Sequence, residues 1–377
     1  MSEPSHDPDP KEARPRLLMV ARTRYGLPLP DGVARKFDAM RDRFELRALA
    51  TAADGRARDD GMFHLVGRLP VLDGALYYLL LPFRVRSLVR SHRPDAILFE
   101  TPYSAAFSRA AWGHARVIVE VHGDWRTATR LYGSRWRRLL APLADAIGSW
   151  SVRRADAVRT ISPYTTSLVR AVGVEPAAEF ATYSDLGVFA EQPVEPLPSE
   201  ASAVFVGVLE RYKNVDGLAR AWRRAAPRVD GAKLAIVGRG SDSLVVEELI
   251  RDLPTQTTWA EYLPPAEVAK ALDAATCLVL PSRSEGLGRV LIEAFLRGRP
   301  AVAAGVGGIR DLVEDGVNGI LVGSDEELAE ALVGILTDRE LAEGLGRGAL
   351  ETAKRWLTTP DEFAARIAAV VAAALER

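Results

Sequence analysis

Apolar residues fall in short runs along most of this chain, separated by longer segments whose apolar positions recur at helical spacing. That alternation is expected of βα units around a parallel sheet, whose strands are covered on both faces and read as nearly unbroken hydrophobic runs. In the first half, RLLMVA (16–21), FELRALA (44–50), DAILFE (95–100), RVIVEVH (116–122) and DAVRTI (156–161) predict strands, with helices filling the gaps. A second series, AVFVG (203–207), KLAIVG (233–238), TTWAEY (257–262), TCLVLP (276–281), PAVAA (300–304) and GILVG (319–323), predicts another sheet. Between them the period fades over 173–200, where GVEPAAEF and EQPVEPLPSEAS collect Pro, Glu and Ser as a linker does. The expected fold class is α/β, with two Rossmann-like, doubly wound domains facing across a cleft. Residues 16–190 would form the first domain, 191–202 the linker and 203–358 the second domain. The segment 359–377 would be a C-terminal helix packing back towards the first domain, and 1–15 a disordered tail. Ligands of such sheets bind beyond the carboxyl ends of the strands, so the cleft is the expected site.

Composition narrows the class without changing that picture. With 377 residues, 48% hydrophobic and 26% charged, the chain suits two globular domains and excludes disorder, collagen or coiled coil as a whole-chain reading. The longest apolar stretch, GALYYLLLPF at 74–83, is about half the ~20 residues a membrane-spanning helix needs. The first residues, MSEPSHDPDPKEARPR, have no apolar core and read as a polar tail rather than a signal peptide. A cytoplasmic location follows as the expectation. The lone Cys277 has no partner for an internal disulfide, and its place in TCLVLP predicts a buried strand thiol rather than a nucleophile.

Charge adds an asymmetry that the net value of -1 conceals. Residues 1–190 carry 28 Lys and Arg against 21 Asp and Glu, and the remainder 21 against 29. The basic excess gathers over 126–159, where Arg126, Arg130, Arg135, Arg137, Arg138, Arg153, Arg154 and Arg159 face only Asp145 and Asp156. Such a patch attracts an anionic partner. With Trp136 and Trp150 interleaved, it suits peripheral contact with an anionic membrane, or a solvated helix face whose aromatics turn inward. Nucleic acid is not an expected partner, because the overall pI is 6.6 and no DNA or RNA module is visible.

Chemistry is densest in PSRSEGLGRVLIEAFLRG (281–298). A strand ends, a glycine-rich loop follows, and a helix opens whose first amides lack intrahelical partners and sit at the positive end of its dipole. That is an anion site, where Leu287 and Gly288 present amides with little side chain in the way. Glu285 and Glu293 bracket it. Carboxylates repel phosphate, so they suit neutral hydroxyls on either side, a sugar at Glu285 and a ribose at Glu293. The same spacing also fits an ordinary capped helix with a solvated Glu.

The segment resembles the E-x7-E motif of the family 4 retaining glycosyltransferases, nucleotide-sugar enzymes of the GT-B fold. FVGVLERYKNVDGLARAW, LAIVGRGSD, YLPPAEVAKALDAATCLVLPS and AVAAGVGGIRDLVEDGVNGILV resemble further segments of that family in the same order, covering about 203–323 well and the first half loosely. The resemblance implies that Lys213 contacts the donor diphosphate, that Gly238 allows backbone approach near the nucleotide, and that Glu261 lies where the base is read. Where the family usually has Arg after the loop glycine, Val208 follows Gly207, and Arg211 is the candidate replacement. Gly307 and Gly308 would shape a second helix start beside the cleft. In the first half, VIVEVHGDWR places His122 and Asp124 past a strand end and resembles the family's acceptor-side histidine. The family's Gly-Gly pair in the first loop is missing from ARTRYGLPLPDGVARKF, leaving Gly32, then Gly26, as candidates for the donor phosphate approach.

The expected function is transfer of a sugar, with retention, from a nucleoside-diphosphate sugar to an acceptor hydroxyl on a sugar or lipid-linked precursor, with His122, Lys213 and Glu285 at the reacting centre. No cofactor beyond the donor and no metal is implied, because Lys213 and the helix dipole can neutralise the diphosphate. Two other readings remain at this point: a nucleotide-sugar epimerase of the same fold, and a non-catalytic nucleotide-sugar-binding protein.

Overall fold

The computed structural model describes residues 14–67, 73–109, 112–127 and 139–377. Two sheets account for the strands. The first contains β1 (Arg16–Tyr25), β2 (Glu45–Ala52), β3 (Arg58–Asp59), β4 (Phe63–Val66), β5 (Ala96–Phe99), β6 (Arg116–Val121), β7 (Ala157–Thr160) and β8 (Ala178–Glu179). Their order is β3-β4-β2-β1-β5-β6-β7-β8, parallel except for the β3–β4 hairpin. The second contains β9 (Ser202–Val206), β10 (Lys233–Val237), β11 (Thr257–Ala260), β12 (Cys277–Leu280), β13 (Ala301–Ala304) and β14 (Gly319–Val322). It is wholly parallel in the order β11-β10-β9-β12-β13-β14.

Both orders reverse at one place, between β1 and β5 in the first sheet and between β9 and β12 in the second. Crossovers leave a crevice at such a switch point, beyond the carboxyl ends of the strands. In the second sheet this selects the loops after β9 and β12, which hold Lys213 and Glu285. In the first it selects the ends of β1 and β5, with the β6 end and His122 beside them.

Strands at the sheet centres are fully buried, β5 and β12 at every residue, as their β-branched and aliphatic runs require. Cys277 lies in β12 with its thiol pushed up to about 12 by burial. The segment between β2 and the following helix is not helical throughout, as the spacing suggested: the β3–β4 hairpin occupies part of it. β1 also runs four residues past the apolar run to Tyr25, because Arg24 and Tyr25 pair with Thr51 and Ala52 after a register shift.

Residues 191–201 cross between the sheets without helix or strand. Their carbonyls are held by buried guanidinium groups. Arg297 donates to Gln192 and Pro193, and Arg299 to Glu195 and Pro196. The chain returns through the helix Pro360–Leu375, started by a capping box between Thr359 and Glu362 with Pro at its first position. Its apolar face, Phe363, Ile367, Val370 and Val371, is buried in the core of the first domain, against the helix Asp31–Arg41 and strands β5, β6 and β7. The apolar stretch 74–83 falls in the helix Asp73–His92, where Leu79 and Phe83 are exposed. No helix among the described residues is long and apolar enough to cross a membrane.

Candidate active site

The β12 loop reaches its shape through glycine. Gly288 adopts φ 85°, a left-handed conformation that costs a side-chain-bearing residue, and serves as N-cap of the helix Arg289–Leu296. One turn earlier, Glu285 is fixed from two sides: Lys213 Nζ lies 2.5 Å from its Oε1, and Ser282 Oγ donates to the same oxygen at 2.9 Å. Lys213 closes the short 3₁₀ turn Arg211–Lys213 after β9 and is buried. Its stem passes Gly207, where a Cβ would stand 3.6 Å from Lys213 Cε. The two loops are joined as well by Arg283, whose backbone N–H donates to the Tyr212 carbonyl and whose guanidinium pairs with Asp216.

The first domain meets this loop closely. A Cβ on Gly286 would lie 1.9 Å from the His122 carbonyl oxygen, and Ser162 Oγ donates to the Gly286 carbonyl at 2.9 Å. Gly308 packs equally tightly, a Cβ there lying 2.0 Å from the Gly286 oxygen, while the Gly308 N–H donates to the Glu285 carbonyl. Gly307 (φ 54°) stands against the same backbone.

His122 is held at both ring nitrogens, Nε2 at 3.2 Å from Glu120 Oε2 and Nδ1 at 3.2 Å from Thr182 Oγ1. A carboxylate only accepts, so Nε2 carries the proton and a neutral ring leaves Nδ1 to accept from the threonine hydroxyl. Glu120 is itself buried and paired with fully buried Arg159, which also donates to the Phe180 carbonyl. Burial opposes the charge of Glu120, but Arg159 and then His122 override it and hold the carboxyl at about 2.

Among the described residues, a cavity of about 660 Å³ lies at the linker against Gln192 and Pro193, and two others open beside the helix Arg289–Leu296. The larger of these two, about 550 Å³, is lined by Gly32, Gly207, Val208, Gly238, Arg239, Glu261, Tyr262 and Glu293 among others. The smaller, about 310 Å³, is lined by His122, Thr182, Tyr183, Ser184, Glu285, Leu287, Gly288, Trp356 and Thr358 among others. Burial pushes the Glu293 carboxyl up, partly offset by Arg289. Gly238, at φ 145°, has the Gly207 carbonyl 1.8 Å from any Cβ it could carry, so both backbones stay close to the cavity. No group of three or more His, Cys, Asp or Glu suited to a metal ion occurs among the described residues.

Two family models match this chain in tandem: "Glycosyl transferase 4-like domain" over residues 31–180 and "Glycosyl transferases group 1" over residues 190–352. The chain is a family 4 glycosyltransferase. It is 34% identical over 175 residues to a D-inositol 3-phosphate glycosyltransferase of Segniliparus rotundus, covering 44% of this chain and 39% of that one. A 2-deoxystreptamine glucosyltransferase of Streptomyces kanamyceticus is 30% identical over 266 residues, covering 63% of this chain and 64% of that one. The match thus spans about two-fifths of the first relative and under two-thirds of the second. Among solved structures, sucrose-phosphate synthase of Thermosynechococcus elongatus superposes with a TM-score of 0.74 at 18% identity, covering 94% of this chain and 97% of that one. Anabaena Alr3699/HepE in complex with UDP-glucose does so at 0.64 and 19%, covering 96% and 100%. These neighbours share the GT-B fold, with its two parallel α/β sheets.

Within the glycosyltransferase cleft the expected residues are not all gathered. Glu285, Leu287, Gly288 and His122 line the smaller cavity, and Gly32, Gly238, Glu261 and Glu293 the larger; Lys213 lines neither and is buried behind Glu285, with which it pairs. Arg211 is exposed and lines neither. Its carbonyl accepts from Arg283, and the arginines that do reach the cleft are Arg239 and Arg289. Asp124 also lines neither cavity, because it accepts from the Arg126 backbone and guanidinium in the turn after β6. Gly26 lies outside both. Arg159 is no part of a surface patch, being fully buried against Glu120. Arg130, Arg135, Trp136, Arg137 and Arg138 fall outside the described residues. Sequence reasoning missed Arg289, visible as the residue directly after the loop glycine, and Trp356 with Thr358, whose approach from far along the chain has no local signal.

Proposed function

We propose that this glycosyltransferase moves a sugar from a nucleoside diphosphate to an acceptor hydroxyl with retention of configuration. The observation that carries the reading is the Lys213–Glu285 pair before the helix Arg289–Leu296, with Glu285 and His122 on the wall of the smaller cavity and Arg289 and Glu293 of that helix on the wall of the larger. In this reading the diphosphate lies on the Leu287 and Gly288 amides, where Lys213 and the helix dipole neutralise the charge that grows on the leaving group. Glu293 accepts from the ribose, and Glu285 and His122 hold the sugar. The leaving diphosphate takes the acceptor proton, with attack on the face it leaves. Donor identity is tested by thermal shift against UDP, GDP, ADP and TDP sugars, since a site-specific ligand raises Tm by mass action. UDP-glucose, bound in the Anabaena neighbour, is the first probe. Lys213→Ala should weaken the binding of whichever donor is found about ten- to a hundredfold, the worth of one hydrogen bond from a charged group. Unchanged affinity would sink the assignment.

For the acceptor we propose a lipid-linked precursor reached by peripheral contact at the inner membrane face. Leu139, Leu140 and Leu143 are exposed beside the helix Ala141–Arg154, as is Trp150, and its last turn carries Arg153 and Arg154. Vesicles rich in anionic lipid should sediment the protein at low salt and release it at physiological salt, where the Debye length falls to ~8 Å. Failure to sediment even at low salt would favour a soluble acceptor.

A further inference from the structure

Among the described residues, Arg289 alone lines both cavities. It is the first residue of the helix Arg289–Leu296, its side chain is 67% exposed, and Nε lies 2.9 Å from Glu293 Oε1. Glu293 is buried beside it, so this guanidinium is the group that compensates a carboxylate held away from water. Lys213 is matched in turn with Glu285 at 2.5 Å, but it is buried and lines neither cavity. Arg289 is therefore the exposed cation at the junction, and both cations already have a carboxylate partner.

A nucleoside diphosphate brings at least two negative charges to that mouth. Backbone amides and a lysine already shared with a carboxylate leave it under-compensated. The diphosphate must also pass from the nucleoside cavity to the sugar cavity, and Arg289 stands at that junction. A guanidinium binds phosphate oxygens in a bidentate fork, and its exposed stem can turn without disturbing the core.

We propose that Arg289 binds the donor diphosphate by exchanging partners: it leaves Glu293, with which it pairs in the structure, for the phosphates when donor binds, and frees that carboxylate to accept from the ribose hydroxyls. This rests on the donor reading above and adds to it a residue and an ion-pair exchange. Glu293 stays where burial holds it, and the arginine moves.

The test measures binding of UDP, GDP and ADP and of uridine, guanosine and adenosine to the full chain, comparing wild type, Arg289→Ala, Arg289→Lys and Glu293→Ala. Arg289→Ala should lower affinity for the diphosphate that binds wild type about ten- to a hundredfold and leave the matching nucleoside unchanged. Arg289→Lys should restore part of the loss. Glu293→Ala should weaken diphosphate and nucleoside alike. Because Arg289 compensates buried Glu293, Arg289→Ala should melt below the wild type, and Arg289→Lys, which keeps the charge, should recover part of that loss. If wild type binds none of the three diphosphates, the donor reading falls and this inference with it. If a diphosphate binds wild type and Arg289→Ala equally, or the variant loses nucleoside in proportion, the exchange is overturned while the donor reading stands.

Discussion

Glu120 shows how a buried residue fixes one that lines the cleft. It pairs with Arg159 on the neighbouring strand, in register on β6 and β7, and holds the proton on His122 Nε2. Removing one partner of a buried pair leaves the other charge uncompensated, at a cost of about 3–5 kcal/mol. Glu120→Gln should therefore lower Tm well below the wild type at neutral pH. The carboxyl stands at about 2 in the folded protein against an ordinary 4.5. Its depressed pKa contributes stability above the ordinary value, and that contribution is lost as pH falls from there towards about 2. The gap in Tm between wild type and Glu120→Gln should be steady at higher pH and narrow across that window. A gap that stays constant to the lowest pH would show that the pair does not carry the effect.

Between elements, the contact of the β6 and β12 loops sets how near the donor and acceptor sides come. Gly286 leaves no room for a methyl group against the His122 carbonyl. Gly286→Ala should force the loops apart, so sugar transfer fails while the nucleoside alone still binds the larger cavity. Transfer at the wild-type rate would show that the loops yield without consequence. This level also divides what sequence could predict. Strands β5, β6, β9 and β12 were legible because burial on both faces leaves an apolar run in the chain itself. The two-residue strands β3 and β8 carry no such signal, being defined by pairing at the sheet margins. The helix mouth at Gly288 was legible as a local pattern, and so was its neighbour Lys213 through resemblance. Arg159 was misplaced because it was grouped by charge with Arg153 and Arg154, although it stands in β7 between buried Val158 and Thr160; the carboxylate that pairs it there, Glu120, lies 39 residues earlier in the chain. Arg211 failed for the same reason in reverse: closeness to Lys213 in sequence did not turn its side chain to the cleft.

Across the whole molecule, the first sheet is completed by the last helix. Phe363 packs edge-on against Phe180 with ring centroids 5.9 Å apart, and Ile367, Val370 and Val371 fill the core beside the helix Asp31–Arg41 and strands β5, β6 and β7. Residues 16–190 alone would expose that surface. A chain ending at 358 should lose its cooperative melting transition or aggregate, whereas a compact, cooperatively melting product would show that the helix is dispensable to the core.

The same closure gives synthesis a definite order. Ribosomes release domains that fold as units, N-terminal first, at ~5–20 residues per second. Here the strands of the first sheet emerge early, but the helix that seals them is made only after the whole second sheet. The nascent first sheet must therefore wait on the order of ten seconds or more with an open apolar flank while the second domain is translated, which makes that interval the natural point for a chaperone to engage this protein.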